Sequence, residues 1–423
     1  MPKLITHLDL IIIAVFLILG GIFRLANFES RHHFLADQAT SSLRAKEIFD
    51  HRELTTVGIP VTSLHWLQPY AQLYISSTSY YFQLIPLILG GFNPLHSNFV
   101  MACLGTLLII PFYLGAKLLV NRRGAVFLTI VFALSPLYVY FSSFMWNPNT
   151  LLLLFSPFIL FLGLYRAYRR PIFLGLACVI LGLMGTLHFQ FLFAVAAFAL
   201  FSLFFLIKHK KSPHLLWLIG GLFVGVFPLV LNELIKDFYN FRVLGWLFAH
   251  RHEITGSGFV WHYLSNAILL GLIGLTYFFH RFLKNWLLIL ISSACVIYGL
   301  YVSFISPVVR NDFQIYRQFH GHQDNIKIAQ IINSFGPQNF NVFNLAHGDD
   351  GTADVIKYYL YWLFPETYQN INPDYLANNT LFVIAFRDHQ FIDEINYEIN
   401  TFVPSSIEQF AINDQVVLYL LRR

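Results

Sequence analysis

The chain has 423 residues, 57% of them hydrophobic, 17% aromatic and only 12% charged, with a formal net charge of +5. A soluble chain carries about 25% charged residues, so the composition excludes a soluble enzyme, a disordered scaffold and a secreted disulfide module. Cys103, Cys178 and Cys295 all lie in apolar runs and offer no disulfide framework.

The apolar residues gather in runs long enough to cross about 30 Å of hydrocarbon as helices. Residues 8–26 form the first predicted span, which lacks a small-residue cleavage site and reads as an anchor. A long loop, 27–97, follows. Within it, residues 70–89 are apolar but carry Gln72, Ser76, Ser77, Thr78, Ser79 and Gln83, which are costly in lipid unless buried in protein. This stretch is expected to lie at, or dip into, one membrane face rather than to span. Eight further spans are predicted at 98–119, 124–143, 149–165, 171–187, 189–207, 214–231, 260–280 and 286–306.

Charge orients these nine spans. Lys117/Arg122/Arg123, Arg166/Arg169/Arg170, Lys208/Lys210/Lys211 and Arg281/Lys284 sit in short loops, and with Lys3 they have only Asp9 as a neighbouring acid. Short Lys- and Arg-rich loops stay cytoplasmic, which places the N-terminus inside and the C-terminus outside. The intervening spans argue against reading these clusters as a nucleic-acid surface. The predicted module is therefore 1–306, with its large first loop, 27–97, outside.

From Pro307 onward acids outnumber bases by 13 to 7, and the apolar runs shorten to strand length at 340–345, 380–386 and 415–420. Helix-like segments at 324–333, 352–363 and 393–401 lie between them, suggesting a small extracytoplasmic α/β domain over 307–423. It has no glycine-rich phosphate loop and no Cys/His metal cluster. The sequon at Asn378 abuts a strand and reads as accidental.

The outer loop offers the clearest chemistry. Asp37 follows the first span by about ten residues, and Ala39, Leu43 and Ile48 continue as an amphipathic interfacial helix. Two roles fit this carboxylate: an N-cap for that helix, or a general base or metal ligand placed where a lipid-linked head group would present itself. His32, His33, His250 and His252 form two loop pairs that read as solvated rather than metal-binding.

Several stretches together resemble the GT-C fold polyprenyl-phosphate-sugar-dependent glycosyltransferases, including protein O-mannosyltransferase and lipid A aminoarabinose transferase relatives. Phe34-Leu-Ala-Asp37-Gln-Ala is similar to their aspartate motif after the first span. Pro60-Val-Thr-Ser63 and Gln68-Pro69-Tyr70 through Tyr74 are similar to their later loop-one segment. Gly105 to Gly115 with Arg122-Arg123 resembles their second span and basic turn. Leu134-Ser-Pro136 through Trp146-Asn-Pro-Asn149, Leu187-His188-Phe-Gln190, and Pro228 to Glu233 through Asn240-Phe-Arg242 resemble later outer-face motifs.

The resemblance implies sugar transfer from a polyprenyl-phosphate donor to a glycan, lipid or protein acceptor outside the membrane. Asp37 would deprotonate the acceptor hydroxyl, and a single displacement would invert the anomeric carbon. The departing lipid phosphate needs cations or N–H donors; Arg31, Arg44, Arg242 and Arg251 are candidates, with Lys236 and His188 weaker ones. Each of these arginines also fits the role of an interfacial charge meeting lipid head groups. Trp146, Asn147 and Asn149 would line the sugar site or form an ordinary helix-start turn. Glu233 fits a second acid, a salt-bridge partner or a head-group neighbour. The chain departs from the pattern at Gln38 (often an acid), at Ser142-Ser143-Phe144-Met145 (often containing Arg) and at Gln68-Pro69 (usually Gly-Pro). No metal site is assigned, and a divalent metal requirement stays open. Rival classes are a transporter or flippase for lipid-linked sugars, and a non-catalytic membrane assembly subunit.

Overall fold

The computed structural model describes residues 5–29, 34–60, 73–208, 212–249, 321–346, 351–387, 399 and 401–423. The chain forms two compact units. One comprises Met1–Phe28, Arg52–Pro86 and Asn98–Ser306; the other comprises Glu29–His51, Leu87–Ser97 and Pro307–Arg423. The second unit thus draws in two pieces of the long first loop.

The first unit is helical. Helix α1 (His7–Leu25) starts at a capping box, in which Thr6 accepts from the Asp9 N–H and Asp9 accepts from the Thr6 N–H at 2.8 Å. After a short antiparallel pair, β1 (Val57–Pro60) and β2 (Tyr74–Ser76), helix α3 covers Thr78–Leu89. At 12 residues, or about 18 Å, α3 is too short to cross hydrocarbon. Ser76, Ser77, Thr78, Ser79 and Gln83 are all buried in protein. Helices α4 (Pro94–Leu107) and α5 (Ile109–Leu119) run almost continuously.

The predicted span at 124–143 is not one helix but two, α6 (Arg122–Leu134) and α7 (Pro136–Phe141). Pro136 lacks the N–H that would bond the Phe132 carbonyl, and it holds Ser135 in an extended conformation at φ −66°, ψ 134°. The helices that follow are α8 (Asn147–Tyr168), α9 (Pro171–Leu187), α10 (Phe189–Lys208), α11 (Ser212–Ile235) and α12 (Tyr239–Ala249). Among the described residues, four helices are long and apolar enough to cross a membrane: His7–Leu25, Pro94–Leu119, Asn147–Tyr168 and Pro213–Ile235. The predicted spans 260–280 and 286–306 lie outside the described residues.

Small residues set the helix spacing. A Cβ on Gly182 would come within 2.8 Å of Gly225 Cα, and one on Gly163 within 2.6 Å of the Gly115 carbonyl. Gly175 and Gly182 of α9 meet Gly221 and Gly225 of α11 in the same order, so these two helices run parallel, backbone against backbone. Phe112 and Phe132 stack at 4.3 Å within the apolar core, which also holds Phe155 and Phe158.

The second unit is α/β. Helix α2 (Ala36–His51) packs on α14 (Asp354–Leu363). Helix α13 (His322–Ser334) and the short α15 (Pro365–Gln369) flank a four-stranded sheet. Its strands are β3 (Phe340–Asn344), β4 (Thr380–Phe386), β5 (Ser406–Ala411) and β6 (Val416–Arg422), in the order β3-β4-β6-β5. The β3–β4 pair is parallel and the others are antiparallel. Leu381, Val383, Val417 and Tyr419 pack with Phe402 on one face, while Phe335 meets Phe382 on the other at 6.2 Å. With both faces covered, β4 and β6 read as near-continuous apolar runs, while β3 buries Asn341 and Asn344 among its apolar residues. The exposed β5 has no such run, and only its pairing with β6 makes it a strand. Most of the predicted helix at 393–401 lies outside the described residues. The Asn378 sequon side chain is buried and donates to the carbonyls of Asn372 and Asp374, each at 3.0 Å.

Candidate functional site

Asp37 stands at the second position of α2, exposed, in the first turn, where the helix N-terminus favours negative charge. It is not the N-cap. Leu35 precedes the helix, and its N–H donates to the buried Gln38 side chain at 2.8 Å, a half capping box. The departure at Gln38 thus has a structural role, since this amide closes the helix start while Asp37 stays exposed. Arg44, seven residues on, shares that helical face and pairs with Glu47 at 2.9 Å. Arg31 and Arg251 lie outside the described residues, as do His32, His33, His250 and His252.

The other candidates belong to the first unit. Trp146 precedes α8 with its ring stacked near Phe144 at 6.2 Å. Asn149 is buried and donates to the Phe144 carbonyl at 3.0 Å, while the Met145 N–H donates to Asn98 at 2.8 Å. Two asparagines therefore fix the turn that presents Trp146. Asn147 donates to the Leu187 carbonyl at 3.4 Å, which seats it at the end of α9 beside His188, the residue that terminates that helix.

Glu233 is buried near the end of α11 and accepts from the Asn240 N–H at 3.1 Å and from its side-chain amide at 2.5 Å. Asn240 in turn bonds both backbone groups of Tyr74, donating at 3.0 Å and accepting at 2.9 Å. These bonds make Glu233 the brace of an α11–α12 turn that clamps β2. Arg242 projects from α12, exposed, with its guanidinium 3.5 Å from the Lys236 carbonyl. Since α9 and α11 run parallel and β2 lies against both, His188, Asn147 and Glu233 gather at one end of the unit.

Asp9 marks the opposite end. It is fully buried and accepts from Tyr113 at 2.8 Å, Lys117 at 2.6 Å and Arg122 at 3.0 Å. Arg24 is fully buried as well. It donates to Ser142 and the Ala133 carbonyl at 2.8 Å each, to Gly20 at 3.2 Å and to Phe132 at 3.3 Å. The Phe132 carbonyl is the group left without its helical donor by Pro136. Sequence reasoning does not single out Arg24, Asn98 or Asn240 as site-forming residues. The lone cation inside the first apolar run is the visible signal for Arg24.

Among the described residues, no three or more His, Cys, Asp or Glu side chains gather as a metal site. No family model matches the chain, and no curated protein matches it. Two solved structures do, and they define the class of fold. This is a helix-rich chain that shares the fold of those two structures. One is ArnT from Cupriavidus metallidurans in the apo state, at TM-score 0.52 and 12% identity over 97% of both chains. The other is the same protein bound to undecaprenyl phosphate, at TM-score 0.53 and 13% identity over 98% of both chains.

Proposed function

We propose that this chain is a multi-pass membrane glycosyltransferase that moves a sugar from a polyprenyl-phosphate carrier to an acceptor on the extracytoplasmic side, with Asp37 as general base. The carrying observation is the likeness along nearly the whole chain to ArnT, one of whose structures holds undecaprenyl phosphate. The exposure of Asp37, with Gln38 making the capping contact in its place, supports its role. Its carboxylate takes the acceptor proton as the hydroxyl attacks the anomeric carbon, and the sugar–phosphate bond breaks with inversion. Arg242, exposed and bonded through one Nη, suits the leaving phosphate better than Arg44, whose guanidinium is engaged by Glu47. Arg31 and Arg251 complete the cationic set. Trp146, Asn147, Asn149 and His188 would border the sugar, while Glu233 acts through Asn240.

Asp37→Asn, reconstituted in vesicles with undecaprenyl-phosphate-linked sugars, should lose transfer by about 100-fold or more while still binding undecaprenyl phosphate. Full transfer by this variant would remove Asp37 as the base.

A further inference from the structure

Helix α2 is mostly polar, yet its Ala39, Ser42, Ala45 and Ile48 side are buried. What covers it is α14, whose Asp354, Tyr358 and Tyr361 recur at i, i+4 and i+7 and so form one helical face. Each of the three meets α2 or the chain just before it. Thr40 Oγ1 lies 2.6 Å from Asp354 Oδ2, sharing its hydrogen with the Ala36 carbonyl at 2.9 Å. Phe34, 1% exposed, packs against the rings of Tyr358 and Tyr359 at 5.1 and 6.2 Å. Lys46 Nζ sits 4.6 Å from the Tyr361 ring centre and 4.7 Å from that of Phe92, and it pairs with Asp50 at 2.7 Å.

These contacts are not spread evenly. Phe34 and Thr40 fall three residues before and three after Asp37, so α14 grips the chain on both sides of that carboxylate. Lys46 and Glu47 hold the far end; Tyr368 donates to Glu47 at 3.4 Å and stacks on Tyr361 at 4.6 Å. Burial, with the Glu47 charge beside it, pushes the Tyr368 hydroxyl up to about 12, so it stays protonated as a donor. A general base must be held to within about 0.5 Å of its productive position. A surface helix of this length would fray without tertiary support.

We infer that the C-terminal α/β domain is an intramolecular brace for the Asp37 helix, and that Thr40, Asp354, Lys46 and Tyr361 are positioning residues for sugar transfer. The inference rests on the proposed role of Asp37. It gives the domain a purpose that needs no acceptor or partner of its own.

Hydrogen exchange on the full chain in nanodiscs tests the brace, and transfer kinetics with undecaprenyl-phosphate-linked sugars test its purpose. Lys46→Met and Thr40→Val should each speed amide exchange across 36–51 by about tenfold, leaving the amides of α8, α9 and α11 unchanged. Both should lower kcat several-fold with KM for the donor unaltered, and Lys46→Arg and Thr40→Ser should restore exchange and kcat together. Unchanged exchange over 36–51 in both variants would overturn the brace. Faster exchange with an unaltered kcat would overturn the positioning role. Asp37→Asn should leave exchange as it is, so failure of the catalytic assignment would show separately, as transfer retained in that variant.

Discussion

Arg24 in the first unit and Lys46 in the second are both cations held largely away from water, by different means. Arg24 is fully buried, and the bonds described for it run to a serine hydroxyl and to backbone carbonyls where a proline interrupts a helix. Lys46 keeps a carboxylate partner, Asp50, and lies between two aromatic rings. The contrast follows from the acceptors each unit can offer a charge. In the apolar core around Arg24, acceptors come largely from carbonyls freed where Pro136 breaks the helix. An α/β unit rich in tyrosine and acid has them ready on its surfaces.

Arg24→Met should give the largest loss, about 3–5 kcal/mol, because it strips the donors from carbonyls buried in an apolar core. A denaturant titration in mixed micelles would measure it, with the second unit's amides keeping their exchange protection. If Arg24→Met matched the parent, backbone carbonyls would not be what holds this charge.

Gly225→Val comes next, at about 1–3 kcal/mol of overpacking strain, since the new side chain would press on the backbone of α9 at Val179 and Gly182. The same substitution at Gly245, around which a Cβ would meet nothing within 4 Å, is the control and should be close to neutral apart from helix propensity. In the second unit, Tyr358→Phe removes the hydroxyl that donates to the Phe92 carbonyl at 2.8 Å. It should cost about 0.5–1.5 kcal/mol, seen as faster exchange confined to that unit.

The smallest effect is a pH dependence. His322 bonds Tyr359 at 2.6 Å, and burial lowers its imidazole below the ordinary value of 6.5, opposed by the charge of Glu29 and aided by that of His96. The unfolded chain therefore takes up this proton before the folded one does. Stability of the second unit should be full above about pH 6.5 and should fall as pH drops through that value toward the folded-state one. Thermal unfolding followed from pH 7.5 to 5 should show this slope, and His322→Phe should flatten it.

Helix and strand positions are largely legible in the residues. Uncharged runs locate α1, α5, α8, α9 and α11, and dense apolar hexamers locate β3, β4 and β6. The break at Ser135-Pro136 is legible too, since proline removes a specific hydrogen bond, yet average hydropathy over 124–143 conceals it. Strand β5 is not readable, because its residues Ser406–Ala411 acquire strand structure from the partner β6 rather than from a pattern of their own.

The candidate site divides in the same way. Asp37 stands out by its place after an apolar run, and its competing role as an N-cap is an equally sound reading of that spacing. Only the structure assigns the capping contact to Gln38. Glu233 is visible as an acid at a helix end, but the clamp it supports, Asn240 on Tyr74, joins residues 166 positions apart. No local pattern encodes such a separation.

Composition and periodicity thus determined on their own that the chain is helical and apolar, with a different, strand-bearing tail, because burial and helix period act over neighbouring residues. Tertiary structure alone decided that the loop helix carrying Asp37 packs with that tail. The contacts that hold it, Thr40 to Asp354 and Lys46 to Tyr361, depend on a mostly polar helix meeting a mostly apolar one across some 300 residues of chain.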